Sequence, residues 1–173
     1  HIVEGGDCHY FPALTGNLRI GVVPKVLGGD GACDRIEFDY GSACADLEVC
    51  AESDRRLRVG LGVWTSQTQP KIWLVLQLPV DGSIILRNGA QRLSLKEVVE
   101  GQAAKEYALA RQIESPAGWR MSLPKGSMLV WPHFPWNPYR PPTYRETADK
   151  AVALVRVPLH ENNWRAEVAV TAA

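Results

Sequence analysis

The residues best suited to catalysis are two carboxylates on one predicted strand. In the stretch DRIEFDYG, Glu37 and Asp39 are two positions apart, so a β-strand would point both side chains to the same face. Strand geometry separates them by roughly 7 Å, a distance that suits an acid and its partner in glycoside hydrolysis. The pair makes a polysaccharide-active enzyme one hypothesis. The alternative is the solvent-facing polar side of an antiparallel strand.

The same stretch resembles the strand motif of the laminarinase-like family of glycoside hydrolases, in which Glu, Asp and Glu alternate along one strand. The likeness covers this one strand alone. The third acid is absent, because Gly41 and Ser42 follow Tyr40. The resemblance implies glycoside hydrolysis, with Glu37 and Asp39 in the two acidic positions that are present.

The stretch WPHFPWNPYRPPTY, from Trp131 to Tyr144, is the leading candidate for a binding surface. It lies in a predicted loop over 131–149, and its prolines restrict the backbone to extended paths. A backbone fixed beforehand loses less entropy when a ligand docks. Rigid aromatic faces suit a sugar ring or a proline-rich peptide. Five residues are the expected ligand contacts: Trp136, Tyr139, Tyr144, Arg140 and Asn137. The alternative is that Trp131, Phe134 and Trp136 only cover the core.

Two acidic residues of the glycine-rich turn GGDGACD are candidate calcium ligands. Carboxylates and backbone carbonyls are the oxygen ligands that Ca²⁺ takes, and Asp30 and Asp34 would supply them. The spacing matches no EF-hand loop, and Gly-Asp-Gly is also ordinary turn chemistry. An N-terminal His1 could chelate copper together with a second histidine. No other cofactor is expected.

All four cysteines, Cys8, Cys33, Cys44 and Cys50, lie in the first third of the chain. An even count in such a cluster predicts disulfides that tie an N-terminal region over about 1–55, with the pairing left open. Because disulfides form in oxidising compartments, we expect an exported protein, secreted, periplasmic or extracellular. The first residues do not have the pattern of a signal peptide, which suits a mature form or a chain made without one. A zinc site and reduced thiols are the alternatives.

The elements that must position these residues are β-strands. Short runs rich in branched and aromatic residues, several of them alternating, are separated by Gly, Asp and Ser. Seven stretches are predicted strands: 18–26, 35–40, 46–51, 56–64, 71–79, 151–159 and 164–170. The run at 71–79 is apolar enough to be covered on both faces. Three turns predict hairpins: Asn88-Gly89, Pro124-Lys125-Gly126 and 160–163.

One segment predicts a helix. Ser94 and Glu97 form a capping-box pattern, so we expect a helix over roughly 95–104, followed by a strand to about 114. About nine or ten short strands with at most one short helix predict a single all-β domain spanning 1–173. The predicted architecture is a mainly antiparallel β-sandwich, with a closed β-barrel as the alternative.

The composition argues against two kinds of partner. Lys plus Arg and Asp plus Glu both total 19, so the formal net charge is zero and we expect no nucleic-acid partner. The longest apolar run, IWLVLQLPV, is about half as long as a membrane-spanning helix, so we expect no membrane span.

The leading hypothesis is an exported, non-catalytic binding domain that recognises a glycan or another extended ligand through the Pro/aromatic loop. A polysaccharide-active enzyme is the first alternative. The second is an envelope or surface assembly protein that contacts another chain through a free edge strand and the aromatic loop.

Overall fold

The structure, a computed structural model, describes residues 2–4, 25–29, 31–39, 43–65, 72–86, 91–109, 111–134, 151–159 and 165–172. Within these ranges the secondary structure consists of β-strands and one short 3-10 helix (Leu95–Glu97). Fourteen strands are formed: β1 (Ile2–Glu4), β2 (Lys25–Gly29), β3 (Cys33–Asp39), β4 (Ala43–Ser53), β5 (Arg56–Thr65), β6 (Ile72–Pro79), β7 (Ser83–Leu86), β8 (Gln91–Ser94), β9 (Lys105–Ala108), β10 (Gln112–Ser115), β11 (Trp119–Ser122), β12 (Met128–His133), β13 (Val152–Pro158) and β14 (Arg165–Ala172).

The strands form two antiparallel sheets. One has five strands in the order β1-β6-β13-β12-β9, and the other has nine in the order β2-β3-β4-β5-β14-β11-β10-β7-β8. Among the described strands, each sheet ends in two edge strands, so neither is closed into a barrel. The predicted antiparallel β-sandwich is therefore confirmed, and the closed-barrel alternative is wrong.

The strand count exceeds the nine or ten expected from the sequence. Strands β1 and β7 to β11 have only three or four residues each, too few to show a clear period of two. The longer predicted strands at 35–40, 46–51, 56–64 and 71–79 correspond to β3, β4, β5 and β6. Most of the predicted strand at 18–26 lies outside the described residues.

The main core lies between the two sheets. Alternate residues of β13, Ala153, Val155 and Val157, are fully buried in it, because every second side chain of a strand points to the same face. Leu61 of β5 and Val168 of β14 bring the nine-stranded sheet into the same apolar cluster. Full burial of a Val or Leu side chain contributes about 1.5–3 kcal/mol, so this layer holds the sheets together.

The five-stranded sheet is also buried on its outer face. Val75, Val130 and Leu154 form a second apolar cluster there. In β6, Leu74 belongs to the main core while Val75 belongs to this outer cluster. The prediction that this strand is covered on both faces is therefore confirmed.

A buried arginine completes the outer cluster. Arg156 stands opposite Val75 in the β13–β6 ladder and is 5% exposed. Its guanidinium carbon lies 4.7 Å from the centroid of the Trp73 ring, which is a cation–π distance. Its Nη1 donates a hydrogen bond of 2.8 Å to Glu106 Oε1 on β9. The side chain thus ties β6, β13 and β9 together.

Two predicted hairpins are instead crossings between the sheets. A turn does form at 124–126, where Gly126 has a φ of 88° and the Ser127 N–H donates to the Pro124 carbonyl at 3.3 Å. This turn, however, joins β11 of the nine-stranded sheet to β12 of the five-stranded sheet. Likewise, β13 and β14 lie in different sheets. These hairpin predictions were wrong because both strands of each pair bury apolar residues in the same core from opposite sides.

The third hairpin agrees with the prediction. Strands β7 and β8 pair with Leu86 opposite Gln91. This is the register that a two-residue turn at 88–89 requires. The turn residues themselves lie outside the described ranges.

The predicted helix over 95–104 is reduced to the 3-10 turn Leu95–Glu97. Ser94 does cap it, since its Oγ accepts a hydrogen bond from the Lys96 N–H at 3.3 Å. Val98 returns to an extended conformation, and Gly101 has a φ of 71°, which a continuing helix does not allow. In the part of the chain that the structure describes, no helix is both long and apolar enough to cross a membrane.

One disulfide joins β3 to β4. Cys33 and Cys50 stand directly opposite each other with their Cα atoms 4.0 Å apart. The hydrogen bond from the Ala51 N–H to the Ala32 carbonyl marks the adjacent pair as hydrogen-bonded. The cysteines therefore occupy a non-hydrogen-bonded pair, where opposite Cα atoms are closest. Cys44, expected in a second bridge, instead carries a free, exposed thiol; it stands opposite Asp39 on β3 and Trp64 on β5. Cys8 lies outside the described residues.

Candidate functional site

The outer face of the nine-stranded sheet carries a groove over β5. Leu61 and Val63 of this strand point into the core, so Gly60, Gly62 and Trp64 lie on the opposite face. The two glycines have no side chains to fill that face. A cavity of 530 Å³ opens over them.

The walls of the groove are charged. Asp46 and Glu48 of β4 stand opposite Gly62 and Gly60 on one side, and β14 supplies the residues opposite the same glycines on the other side. Six charged residues line the groove: Arg35, Asp46, Glu48, Arg58, Arg165 and Glu167. Three are arginines and three are carboxylates, so the lining has a formal charge of zero.

Ion pairs that cross between strands hold these side chains. Arg35 Nη2 on β3 lies 2.5 Å from Asp46 Oδ2 on β4. Arg58 Nη1 lies 2.9 Å from Glu48 Oε1 and 3.5 Å from Glu167 Oε2, so its guanidinium bridges β4 and β14 across β5. Each such surface pair contributes only about 0–1 kcal/mol. The main effect of the network is therefore to orient the groups around the groove.

Arg58 is the centre of this network. Besides its groove partners, its Nε donates to Glu52 Oε1 at 3.2 Å, and its Nη2 donates to Cys50 Sγ at 3.0 Å. The hydrogen bond to Glu48 raises the pKa of the guanidinium above its ordinary value, and the negative charges of Glu48, Glu167 and Glu52 act in the same direction. Arg58 is therefore charged at neutral pH.

Gly60 and Gly62 differ in how closely other side chains approach them. A Cβ atom at Gly62 would overlap Asp46 Oδ1 and lie 3.2 Å from Trp64 Cη2, because both side chains lean over the strand there. A Cβ atom at Gly60 would have its nearest neighbours at 3.8 Å and 4.0 Å, which are ordinary contact distances. Packing therefore accounts for a glycine at 62. It does not account for one at 60.

The predicted catalytic carboxylates lie beside the groove and do not line it. Glu37 stands opposite Asp46 in the β3–β4 ladder, and Asp39 is exposed opposite Cys44. The Cys44 thiol donates to Asp39 Oδ1 at 3.8 Å. Desolvation raises the pKa of this thiol, and the charges of Asp39 and Glu37 raise it further, so Cys44 is a poor nucleophile at neutral pH. Neither Glu37 nor Asp39 is among the residues that line the groove, and their catalytic role stays a prediction.

The described part of the Pro/aromatic loop faces inward. Trp131 belongs to β12 and is buried in the main core, and Phe134 packs against that core. The positions of these two rings agree with the alternative that the loop only covers the core. The expected ligand contacts lie outside the described residues, and their role stays a prediction: Trp136, Asn137, Tyr139, Arg140 and Tyr144.

The calcium hypothesis is also untested. Asp34 is exposed on β3, and Asp30 lies outside the described residues. Within the described ranges, no group of three or more His, Cys, Asp and Glu side chains is arranged to hold a metal ion.

The groove residues were not among the predicted site residues, although the sequence carried a signal for them. In RLRVGLGVW, which runs from Arg56 to Trp64, the positions of Gly60, Gly62 and Trp64 share one face of a strand. Two glycines followed by an aromatic residue on one face indicate a strand surface that no side chain covers, next to an aromatic ring. The acidic and basic walls could not be read in this way, because they come from other strands.

Comparisons with known proteins identify no relative. No protein-family model, no curated protein and no solved structure matches the chain. A function must therefore be inferred from the geometry of the groove.

Proposed function

We propose that this protein is an exported, non-catalytic domain that binds a glycan, or another extended polar ligand, in the groove over β5. The observation that carries the proposal is the presence of a glycine, Gly60, inside β5 on the floor of the groove. A glycine inside a strand weakens it, and often marks a bulge or the close approach of a ligand or another backbone. The register of β5 with β4 and β14 is continuous at this residue, so no bulge accounts for it. Neighbouring side chains do not require it either. The close approach of a ligand to the strand would account for it.

The groups around the groove have the chemistry that a sugar requires. Trp64 does not line the groove but lies beside it, against Gly62; it is 47% exposed and offers an aromatic face to the apolar side of a sugar ring. A hydroxyl group both donates and accepts, so it can bond to the carboxylates as well as to the guanidinium groups. The ion pairs hold these groups in place beforehand, which lowers the entropy lost on binding.

Catalysis is the weaker interpretation of the same groove. Asp46 and Glu48 are two positions apart on β4, which again gives a spacing of roughly 7 Å. Each is ion-paired with an arginine, Arg35 or Arg58. A glycosidase acid, by contrast, is a carboxyl that holds its proton in an apolar setting. Ion-paired carboxylates in a polar groove suit hydrogen-bond acceptance better than proton donation.

Export and the Pro/aromatic loop belong to the proposal as well. The disulfide between Cys33 and Cys50 favours an oxidising compartment, secreted, periplasmic or extracellular. The loop residues Trp136, Tyr139 and Tyr144 keep their proposed role as a ligand surface, independently of the groove.

We expect Trp64→Ala to weaken glycan binding by about tenfold, or about 1.4 kcal/mol, through loss of ring stacking. A polysaccharide screen followed by titration calorimetry measures the effect. Val99→Ala, which removes another exposed apolar side chain, is the matched control and should bind like the wild type. If Trp64→Ala also binds like the wild type, the groove is not the site. If only a Trp136→Ala, Tyr139→Ala double variant loses glycan binding, the Pro/aromatic loop is the binding site.

Assembly with another chain is a second candidate function, supported by β2. This edge strand is exposed along its whole length, and Val26 and Leu27 are 69% and 41% exposed. An exposed apolar edge is a template for pairing with another strand. We expect size-exclusion chromatography with light scattering to show an oligomer that Val26→Lys dissociates. A wild-type protein that stays monomeric at high concentration would remove this candidate.

A further inference from the structure

We infer that the groove selects uncharged saccharides over acidic and basic ones, an inference that rests on the proposed glycan-binding function. Its lining contains three arginines and three carboxylates, with no excess of either sign. The chain as a whole is also neutral. The lining itself therefore gives a charged polymer of either sign no net electrostatic attraction.

Short-range interactions oppose a charged ligand as well. A ligand carboxylate that approached Arg58 would lie beside Glu48 and Glu167, which already flank that guanidinium. A ligand ammonium that approached Asp46 would meet Arg35, which lies 2.5 Å from the carboxylate. Either charge would have to displace an existing partner or accept a like-charged neighbour, which is costly.

Hydroxyl groups face no such obstacle. A carboxylate has about four acceptor sites and a guanidinium has five N–H donors, so an ion pair leaves hydrogen-bonding capacity on both groups. A hydroxyl can add to the pair without replacing either member. The arrangement therefore suits a ligand with many hydroxyls and no charge.

The position over Gly62 is the best-defined part of the groove. Asp46, whose side chain is only 13% exposed, and Trp64 both lie against the strand there. Arg35 fixes the orientation of the Asp46 carboxylate. Because Asp46 and Trp64 already cover Gly62, a sugar ring would stack on the exposed side of Trp64, with its apolar face on the tryptophan and a hydroxyl towards Asp46.

The test uses pairs of polymers that share a backbone and differ in charge. Three pairs are suitable: chitin and chitosan oligomers, methyl-esterified and de-esterified homogalacturonan, and cello-oligosaccharides with and without carboxylation at C6. Titration calorimetry on the whole protein gives Kd at low and high salt. Trp64→Ala reports whether binding occurs in the groove. A Glu48→Gln, Glu167→Gln double variant changes the lining from neutral to positive.

We expect the uncharged member of at least one pair to bind about tenfold more tightly than its charged counterpart, with little dependence on salt. Trp64→Ala should weaken that binding. The double variant should bind the acidic polymer about tenfold more tightly than the wild type does. Tighter wild-type binding of a charged member, lost in Trp64→Ala, would overturn the inference and leave the groove as the binding site. Absence of binding to every polymer, or binding that Trp64→Ala leaves unchanged, would overturn the proposed function itself.

Discussion

Gly60→Val is expected to weaken glycan binding strongly while leaving the fold intact. The new side chain would stand on the floor of the groove, between the walls formed by β4 and β14. We expect binding to weaken by about 100-fold, equivalent to about 2.7 kcal/mol, because a ligand could no longer approach the strand. The new Cβ atom would meet nothing closer than Arg58 Nη1 at 3.8 Å, so we expect the two methyl groups to need only a shift of the Arg58 side chain and no change in the strand.

Gly60→Val should weaken glycan binding without lowering the free energy of unfolding. A glycine in a strand costs roughly 0.5–1 kcal/mol relative to alanine, and valine is a favoured strand residue. We therefore expect the free energy of unfolding of Gly60→Val, measured in urea, to equal or exceed that of the wild type by up to about 1 kcal/mol.

Gly62→Val is the matched control for this separation of binding from stability. Its Cβ atom would overlap Asp46 Oδ1 and crowd the Trp64 ring, so both binding and local packing should suffer. Destabilisation by Gly60→Val would mean that the fold itself needs that glycine. If Gly60→Val binds the glycan as tightly as the wild type does, no ligand occupies the groove.

Arg156→Ala is expected to destabilise the protein by about 3 kcal/mol, or roughly 10 °C in Tm. The substitution removes a buried side chain that packs over Trp73 and donates to Glu106, and it leaves a cavity beside the second apolar cluster. Truncation of a buried side chain has a large effect on stability, whereas the partner carboxylate of Glu106 is 57% exposed, so the ion pair itself contributes little. Thermal and urea unfolding measure the change.

Arg120→Ala is the control for burial. Arg120 Nε makes a contact of the same length, 2.8 Å, with Glu114 Oε1, but its side chain is 56% exposed against 6% for Arg156. We expect Arg120→Ala to cost at most about 0.5 kcal/mol. If Arg156→Ala and Arg120→Ala lower the free energy of unfolding equally, Arg156 contributes through its ion pair and not through its buried packing.

Local patterns in the chain were enough to predict many of the strands. The runs that became β3 to β6 could be read because alternation of apolar and polar residues reports which face of a strand is buried. Asn88-Gly89 likewise implied the register of β7 and β8, since a two-residue turn leaves one choice of pairing. Ser94 marked the start of a helical turn, although Gly101 and an extended Val98 ended it early.

The sequence alone therefore determined the all-β class and the buried faces of the longer strands, because these follow from side-chain periodicity within one segment. Tertiary structure decided between the sandwich and the closed barrel, since closure depends on which strands pair. Tertiary structure decided which strands share a sheet, since β11 and β12, or β13 and β14, bury the same kinds of side chain whichever sheet they join. It also decided that Cys33 pairs with Cys50 and that Asp46 and Arg165 flank Gly62. Those neighbours are set by the register between strands that are distant in the chain, and no local pattern contains that register.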